Sequence, residues 1–142
     1  MRRLRCGSLR EGMWTRPDNL PRASGPAESW KVADAQCVWW SGRPDADPEA
    51  LAAELFDSAG WSARAGALSE RLRVVTDALG SEGDALAAGF VTGAAAVAHL
   101  RADPLLPREL AADAAAGNLL RAAYRSYETA FSKALRTWFL EH

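Results

Sequence analysis

Hydrophobic positions in the second half of the chain recur at helical spacing. Between residues 61 and 79 the apolar residues fall at steps of three and four, a pattern typical of a helix with one buried face. That face is formed by Trp61, Ala65, Leu68, Leu72, Val75 and Leu79. Arg64, Glu70, Arg73 and Asp77 occupy the outer side, so we predict an amphipathic surface helix here.

Two more helices are predicted on either side of a proline-containing break, ADPLLPREL. The first, Ala85 to Leu100, is apolar nearly all round and follows a capping-box-like Ser81 to Asp84, so we expect a buried central helix. Its Gly89 and Gly93 are spaced to let a neighbouring helix approach closely. The second runs from about Gly117 with a stripe of large apolar residues: Leu120, Tyr124, Tyr127, Phe131, Leu135 and Trp138.

The first helix of this region is predicted to start at Pro48, because Asp47 suits the N-cap and proline suits the first helical position. Gly60 is expected to separate it from the next helix. Residues 1 to 47, in contrast, are predicted to be β-rich and irregular, without a helix. GMWTRP (12–17) and AQCVWW (35–40) are the candidate strands, with the Pro-Gly-Ser-rich PRASGPAES between them.

The predicted fold is therefore mainly α: a C-terminal helical domain of about four helices over residues 46–139, preceded by a short β-rich segment over residues 1–45. Residues 140–142 resemble the start of a purification tag. The composition, 49% hydrophobic and 25% charged, fits a globular protein. The net charge of −1 gives no strong attraction to nucleic acid, although six arginines lie within the first 22 residues.

The candidate chemistry along the chain is sparse. Cys6 and Cys37 are too few and too far apart in sequence for a disulfide framework or a zinc site, which favours a reducing cytoplasm, and the N-terminus does not have the pattern of a signal peptide. His99 lacks companion ligands, so we expect a satisfied helix-end histidine and no metal. No nucleophile–base set and no phosphate-binding glycine loop stand out. We therefore expect neither an enzyme nor a bound cofactor.

Three stretches, taken in order, resemble the PaaX family of bacterial transcriptional regulators. They are LREGMWTRPDNLP (9–21), GRPDADPEALAAELFD (42–57), and VAHLRADPLLPREL (97–110) followed by LLRAAYRSYETAFSKAL. The resemblance implies the second half of a ferredoxin-like middle domain, followed by the C-terminal helical domain. In the family an N-terminal winged-helix domain binds DNA, and an aryl-acetyl-CoA thioester is the inducer of the best-known members.

The chain departs from the family pattern in two places. Its front lacks the first strand and helix of the middle domain, so GMWTRP is expected to pair with a replacement edge. AADAAAG stands where the family has a Trp- and Pro-containing link. The resemblance implies the regulatory and oligomerisation portion of a repressor, with self-association and DNA contact only through a winged-helix domain outside this chain. The alternative is a stand-alone helical interaction module that pairs with a full-length relative.

Six residues are candidates for contacting an acyl-CoA effector near the front: Arg10, Trp14, Arg16, Asp18, Trp39 and Trp40. Arginines suit the phosphates of such a ligand, and the indoles suit its aryl group and adenine. The competing structural interpretation is that Trp14 packs between sheet and helices while Arg16 pairs with an acid. Neither interpretation is excluded by the sequence.

Overall fold

A computed structural model describes residues 2–21, 27–79 and 85–141 and has a mainly helical fold with a short antiparallel sheet, as predicted. The strands are β1 (Gly7–Arg10) and β2 (Met13–Thr15). The helices are α1 (Ala27–Gln36), α2 (Pro48–Phe56), α3 (Ser58–Ala78), α4 (Ala85–Arg101) and α5 (Ala116–Glu141), with short 3-10 turns at Arg2–Leu4 and Arg108–Leu110. The predicted capping box at residues 81–84, Arg22 and His142 lie outside the described residues.

The two strands form a hairpin that begins the chain. Gly7 pairs with Thr15 and Ser8 with Trp14, and the register is irregular between Ser8 and Arg10. Gly12 in the turn has a φ of 74°, a conformation that glycine adopts without steric cost. The predicted strand GMWTRP is thus present at Met13–Thr15, and β1, which the sequence pattern did not indicate, supplies its partner edge.

The predicted strand at residues 35–40 is wrong, as is the expectation of no helix before residue 47. Helix α1 includes Ala35 and Gln36, and no regular element follows it until α2. The physical reason is the spacing of Trp30 and Ala33, which places both on one helical face that packs with Leu4 in a small apolar cluster. Burying that face favours the helix over the strand propensity of the residues that follow.

Helix α2 begins as predicted. The Asp47 side chain accepts a hydrogen bond of 3.0 Å from the Ala50 backbone N–H, and Pro48 occupies the first turn. The helix ends at Phe56 and is capped by Asp57, whose φ of 43° is left-handed. The break before α3 therefore lies at Asp57 and not at Gly60, which belongs to the first turn of α3.

Contacts divide the chain into two compact units. The front unit consists of the residues up to Ala59 together with Pro104–Ala114, and the helical unit consists of Gly60–Asp103 together with the residues from Ala115 onward. In the front unit α2 lies against β1 and against the 108–110 turn. A Cβ at Gly7 would lie 3.0 Å from the Leu55 Cβ, so glycine permits this approach. The division between residues 45 and 46 inferred from the resemblance stays a prediction.

In the helical unit one face of α3 is buried as predicted, through Ala65, Leu68 and Leu72. Helix α4 differs from the prediction, because it is buried along one face only: Phe90 and Val91 are 67% and 61% exposed. Leu120 and Tyr127 of α5 complete the core, with Tyr124 and Phe131 packed against it. None of the described helices is both long and apolar enough to cross a lipid bilayer.

The predicted close approach at Gly89 and Gly93 is confirmed. The Tyr127 hydroxyl donates a 2.9 Å hydrogen bond to the Gly89 carbonyl, so α5 lies directly on this part of α4. A Cβ at Gly93 would lie only 2.5 Å from the Tyr127 hydroxyl oxygen, and one at Gly89 would lie 3.0 Å from the Phe131 ring. Both positions therefore need glycine for packing.

Candidate functional site

The polar side chains of the WTRPDN stretch bind backbone carbonyls. The Arg16 guanidinium donates to the Leu20 carbonyl and so closes the turn after β2. The Asn19 side-chain amide donates a 2.7 Å hydrogen bond to the carbonyl of Leu105, whose φ of 53° is left-handed. These bonds fix a turn and hold a distant segment against it. Arg16 thus has a structural role, although with a carbonyl and not with the acid that we expected.

Parts of the three stretches that resemble one family come together in the front unit. The hairpin, which contains the start of the first stretch, reaches α2 through the preceding Gly7, beside Leu55 and Phe56 of the second stretch. Helix α2 also contacts the 108–110 turn of the third stretch. The bond from Asn19 to Leu105 joins the first stretch to the third. Segments that are distant in sequence therefore form one local assembly.

Beside this assembly lies a stack of one cation and two indoles, the Arg16–Trp30–Trp39 stack. The Arg16 guanidinium carbon is 5.5 Å from the centre of the Trp30 ring, a cation–π distance. The Trp30 and Trp39 ring centres are 5.3 Å apart, with the planes tilted by 48°. Trp30 is buried, whereas Trp39 is 38% exposed. The stack thus consists of a partly exposed indole, Trp39, in contact with a buried one, Trp30.

The structure brings together two of the six predicted effector contacts. Arg16 and Trp39 meet through Trp30, which the sequence reasoning did not single out. Its signal was the three-and-four spacing of Trp30, Ala33 and Cys37, which indicates a helical face.

The other four predicted residues are exposed residues of the front unit: Arg10, Trp14, Asp18 and Trp40. Trp14 pairs with Ser8 on the opposite side of the hairpin from Gly7 and Thr15, because neighbouring strand residues alternate in direction. The part of these four residues in ligand binding stays a prediction.

The stack has the chemistry to hold a ligand that is aromatic at one end and anionic at the other. An indole face accepts another flat ring in an offset or tilted arrangement. A guanidinium carries five N–H donors, so the bond from Arg16 to Leu20 leaves donors that can face a phosphate. Trp30 contacts both Arg16 and Trp39, so the guanidinium and the partly exposed indole are already held near each other before a ligand binds. An aromatic ring of a ligand could then pack on Trp39 without rearrangement of the stack.

A second polar cluster, formed by Trp61, His99, Asp103 and Arg121, lies in the helical unit. The Trp61 and His99 rings stack at 4.8 Å with an angle of 13° between them. The Trp61 indole donates to the His99 carbonyl at 3.3 Å, and His99 Nε2 lies 3.0 Å from the Trp61 carbonyl oxygen. His99 is thus a buried, hydrogen-bonded residue, the arrangement expected of a histidine at the end of an apolar helix.

An ion pair that sequence spacing did not indicate completes this cluster. Arg121 donates to the Asp103 carboxylate at 2.5 Å, and the Asp103 side chain is only 8% exposed. A Cβ at Gly117 would lie 2.7 Å from an Arg121 nitrogen, so glycine makes room for the guanidinium. The pair ties the end of α4 to the start of α5, which is a structural role. In the described part of the chain no group of three or more potential ligands could hold a metal ion.

No family model and no curated protein matches this chain. Among solved structures, it is similar to the uncharacterized protein Rv0674 from Mycobacterium tuberculosis, with a TM-score of 0.69 and 37% sequence identity. The alignment covers 94% of this chain and 51% of that protein. The chain thus spans about half the length of that structural relative and shares its fold over nearly all of its own length.

Proposed function

We propose that this chain is the regulatory and oligomerisation portion of a PaaX-like transcriptional repressor. The observation that carries the proposal is the meeting of parts of the three family-like stretches in the front unit, where β1 of the hairpin lies against α2, α2 lies against the 108–110 turn, and Asn19 bonds to Leu105. The structural relative is about twice as long as the region that it shares with this chain, which is consistent with a chain that is one portion of a larger protein.

In this proposal the effector is an aryl-acyl-CoA, and the Arg16–Trp30–Trp39 stack is its principal contact. The partly exposed Trp39 takes the aryl group or the adenine by ring stacking. Arg16 faces a phosphate with its remaining donors, for which its planar fork is suited. DNA recognition belongs to a winged-helix domain outside this chain, and the chain described here transmits the ligand state to it.

Calorimetric titration with phenylacetyl-CoA tests the effector site. We expect Trp39→Ala to weaken binding roughly three- to tenfold, since loss of an aromatic pair costs about 0.5–1.5 kcal/mol. Arg16→Lys keeps the charge but loses the bidentate fork that suits a phosphate. We therefore expect it to lower the affinity for phenylacetyl-CoA more than the affinity for phenylacetate, which has no phosphate. Arg64→Ala, an exposed change in α3, is the matched control and should bind like the parent.

Circular dichroism and thermal melting of each variant would show whether the chain remains folded after the substitution. Binding that both stack variants leave intact would place the effector elsewhere. The absence of heat at millimolar phenylacetyl-CoA would contradict effector sensing by this chain.

A second candidate, the helical interaction module, is favoured by the exposed apolar residues of the helical unit. Phe90 and Val91 on α4, and Phe139 near the end of α5, are each more than half exposed. Contiguous exposed apolar residues mark protein contacts more often than isolated ones do. In the first candidate function this surface would pair two copies of the chain. In the second it would pair the chain with a full-length relative.

Sedimentation velocity measures self-association and so distinguishes pairing of two copies from pairing with a different chain. We expect the parent chain to self-associate and Phe90→Ser to shift it toward the monomer, because an exposed polar residue removes apolar area from the contact. Ala63→Ser, at an exposed position in α3, is the control and should leave the distribution unchanged. A parent chain that stays monomeric at about 100 µM, roughly a hundredfold above a micromolar Kd, would contradict oligomerisation and favour pairing with a different chain.

A further inference from the structure

Helix α4 is apolar on the side that faces away from the core as well as on the side that packs. Between Ala85 and Leu100 the sequence contains no aspartate, glutamate, lysine or arginine. Its buried residues include Gly89, Gly93 and Ala96, which lie on the inward face. At about 3.6 residues per turn the opposite face is centred on position 94. We call it the α4 outer face, and it consists of Ala87, Phe90, Val91, Ala94, Val97 and Ala98.

The α4 outer face is open to solvent in the structure. Val97 is half-buried and the other residues of the face are exposed, with Phe90 and Val91 more than half exposed. The solvent side of a surface helix normally carries charged residues, as α3 does with the exposed ion pair of Glu70 and Arg73. A continuous apolar face in their place indicates a contact with another protein surface.

The residue sizes on this face match one another in an antiparallel pair of helices. If a two-fold axis passes through Ala94, each residue meets the partner's residue that lies equally far on the other side of Ala94. Phe90 then lies opposite the partner's Ala98, and Val91 lies opposite the partner's Val97, because each couple is centred on position 94. Each large ring is thus set against a small side chain, and the alanine on the axis lets the two helices approach closely.

Charge favours the same orientation. Arg101 continues the α4 outer face at its C-terminal end and is exposed. In a parallel pair the two copies of Arg101 would lie side by side and the two helix dipoles would be aligned, and both effects are unfavourable. In an antiparallel pair Arg101 lies opposite the partner's Ala87. The two arginines are then about 21 Å apart along the helix axis, for a rise of about 1.5 Å per residue, which exceeds the Debye length of about 8 Å.

We propose that the α4 outer face is the contact between two copies of this chain, which pair antiparallel about a two-fold axis at Ala94. The inference rests on the self-association in the function proposed above and adds its surface, its partner and its register. A second copy fits this face because identical neutral surfaces meet without repulsion. The same sequence also supplies both the large side chains and the small ones that receive them.

Disulfide cross-linking of the full chain, with Cys6→Ser and Cys37→Ser as the background, tests the register. Ala94→Cys places the two new thiols beside the axis, so we expect oxidation with copper phenanthroline to give a covalent dimer. Ala87→Cys places them about 21 Å apart, so we expect at most about a tenth as much dimer. Ala63→Cys, at an exposed position in α3, is the control and should stay monomeric on a non-reducing gel.

Exchange of large and small side chains tests the same register without new thiols. Ala98→Phe alone sets two rings against each other at both ends of the contact. We expect the dissociation constant of the dimer to rise roughly tenfold in sedimentation equilibrium. Phe90→Ala combined with Ala98→Phe restores the matching of large to small, so its constant should return to within about threefold of the parent's. Both positions are exposed in a single copy, so the fold should tolerate these changes.

The possible outcomes separate this inference from the self-association on which it rests. Equal cross-linking of Ala94→Cys and Ala87→Cys in a self-associating chain would overturn the antiparallel register and leave self-association standing. A double variant no tighter than Ala98→Phe would do the same. A parent chain that is monomeric at about 100 µM would contradict both. Binding of a full-length relative in place of a second copy, lost in Phe90→Ser, would overturn the inference in favour of a different occupant.

Discussion

Leucine in place of Gly93 is expected to unfold most of the helical unit, and even alanine there should be costly. A Cβ at this position would lie 2.5 Å from the Tyr127 hydroxyl oxygen and 2.6 Å from a ring carbon. Tyr127 is 4% exposed and its hydroxyl is held by the Gly89 carbonyl, so it has little freedom to move aside. We expect Gly93→Ala to lower the free energy of unfolding by about 1–3 kcal/mol, and Gly93→Leu by more.

Urea denaturation measures these losses, and Gly66 in the middle of α3 provides the matched control. No atom lies within 4 Å of the position that its Cβ would take. Gly66→Ala should therefore stabilise the chain by about 0.5–1 kcal/mol, since alanine is the better helix former. If the two glycine-to-alanine changes shift stability in the same direction, α5 does not approach α4 as closely as described.

Truncation of Leu120 is the second large effect. This side chain in α5 is fully buried in the core of the helical unit, with 0% exposure. Leu120→Ala removes its contacts and leaves a cavity, for which the expected loss in the free energy of unfolding is about 2–5 kcal/mol. In a chain of this size that corresponds to a fall in melting temperature of roughly 5–15 °C, measurable by calorimetry.

Leu119, the adjacent residue of the same helix, provides a matched control for the loss of a leucine side chain. Leu119 is 61% exposed, so Leu119→Ala makes the same chemical change one position earlier without opening a cavity. Alanine is also the stronger helix former, and we expect a change of within about 0.5 kcal/mol. Similar losses at both positions would mean that the buried face of α5 has been assigned incorrectly.

The helices after residue 47 were predictable because local chemistry specifies them. Asp47 and Pro48 are a cap and a first-turn residue that act within a few positions, and the structure has both in those roles. The stripe from Ala65 to Leu72 repeats with the helical period, so its burial follows from spacing. The pair Gly89 and Gly93 indicated a helix contact without indicating which helix makes it.

The errors arose where residue type and tertiary context disagree. Strand propensity of the valine and tryptophans after Gln36 suggested a strand at residues 35–40, whereas the buried face of Trp30 and Ala33 determines a helix that ends before them. The alanine-rich sequence of α4 led to a different error, the expectation that this helix is buried on all sides. Because alanine is compatible with both core and surface, the apolar run could not show that Phe90 and Val91 lie on an exposed face.

Contacts between distant segments account for the part of the site that sequence reasoning missed. Arg16 and Trp39 were chosen for their chemistry, but Trp30 between them could be found only once α1 had been recognised. Asp103 with Arg121, and Asn19 with Leu105, depend on how the chain returns upon itself. Spacing along the sequence carries information about the faces of one element, and little about which elements meet.

The interrupted path of the chain through the front unit has a consequence for its synthesis. The unit contains residues up to Ala59 and then Pro104–Ala114, so the Leu105 carbonyl and the 108–110 turn are made only after α3 and α4. At about 5–20 residues per second, the roughly 50 residues from Ala59 to Leu110 take about 3–10 seconds to translate. During that interval Asn19 lacks its acceptor and α2 lacks one of its contacts, so on the ribosome the front unit is completed only after most of the helical unit has been made.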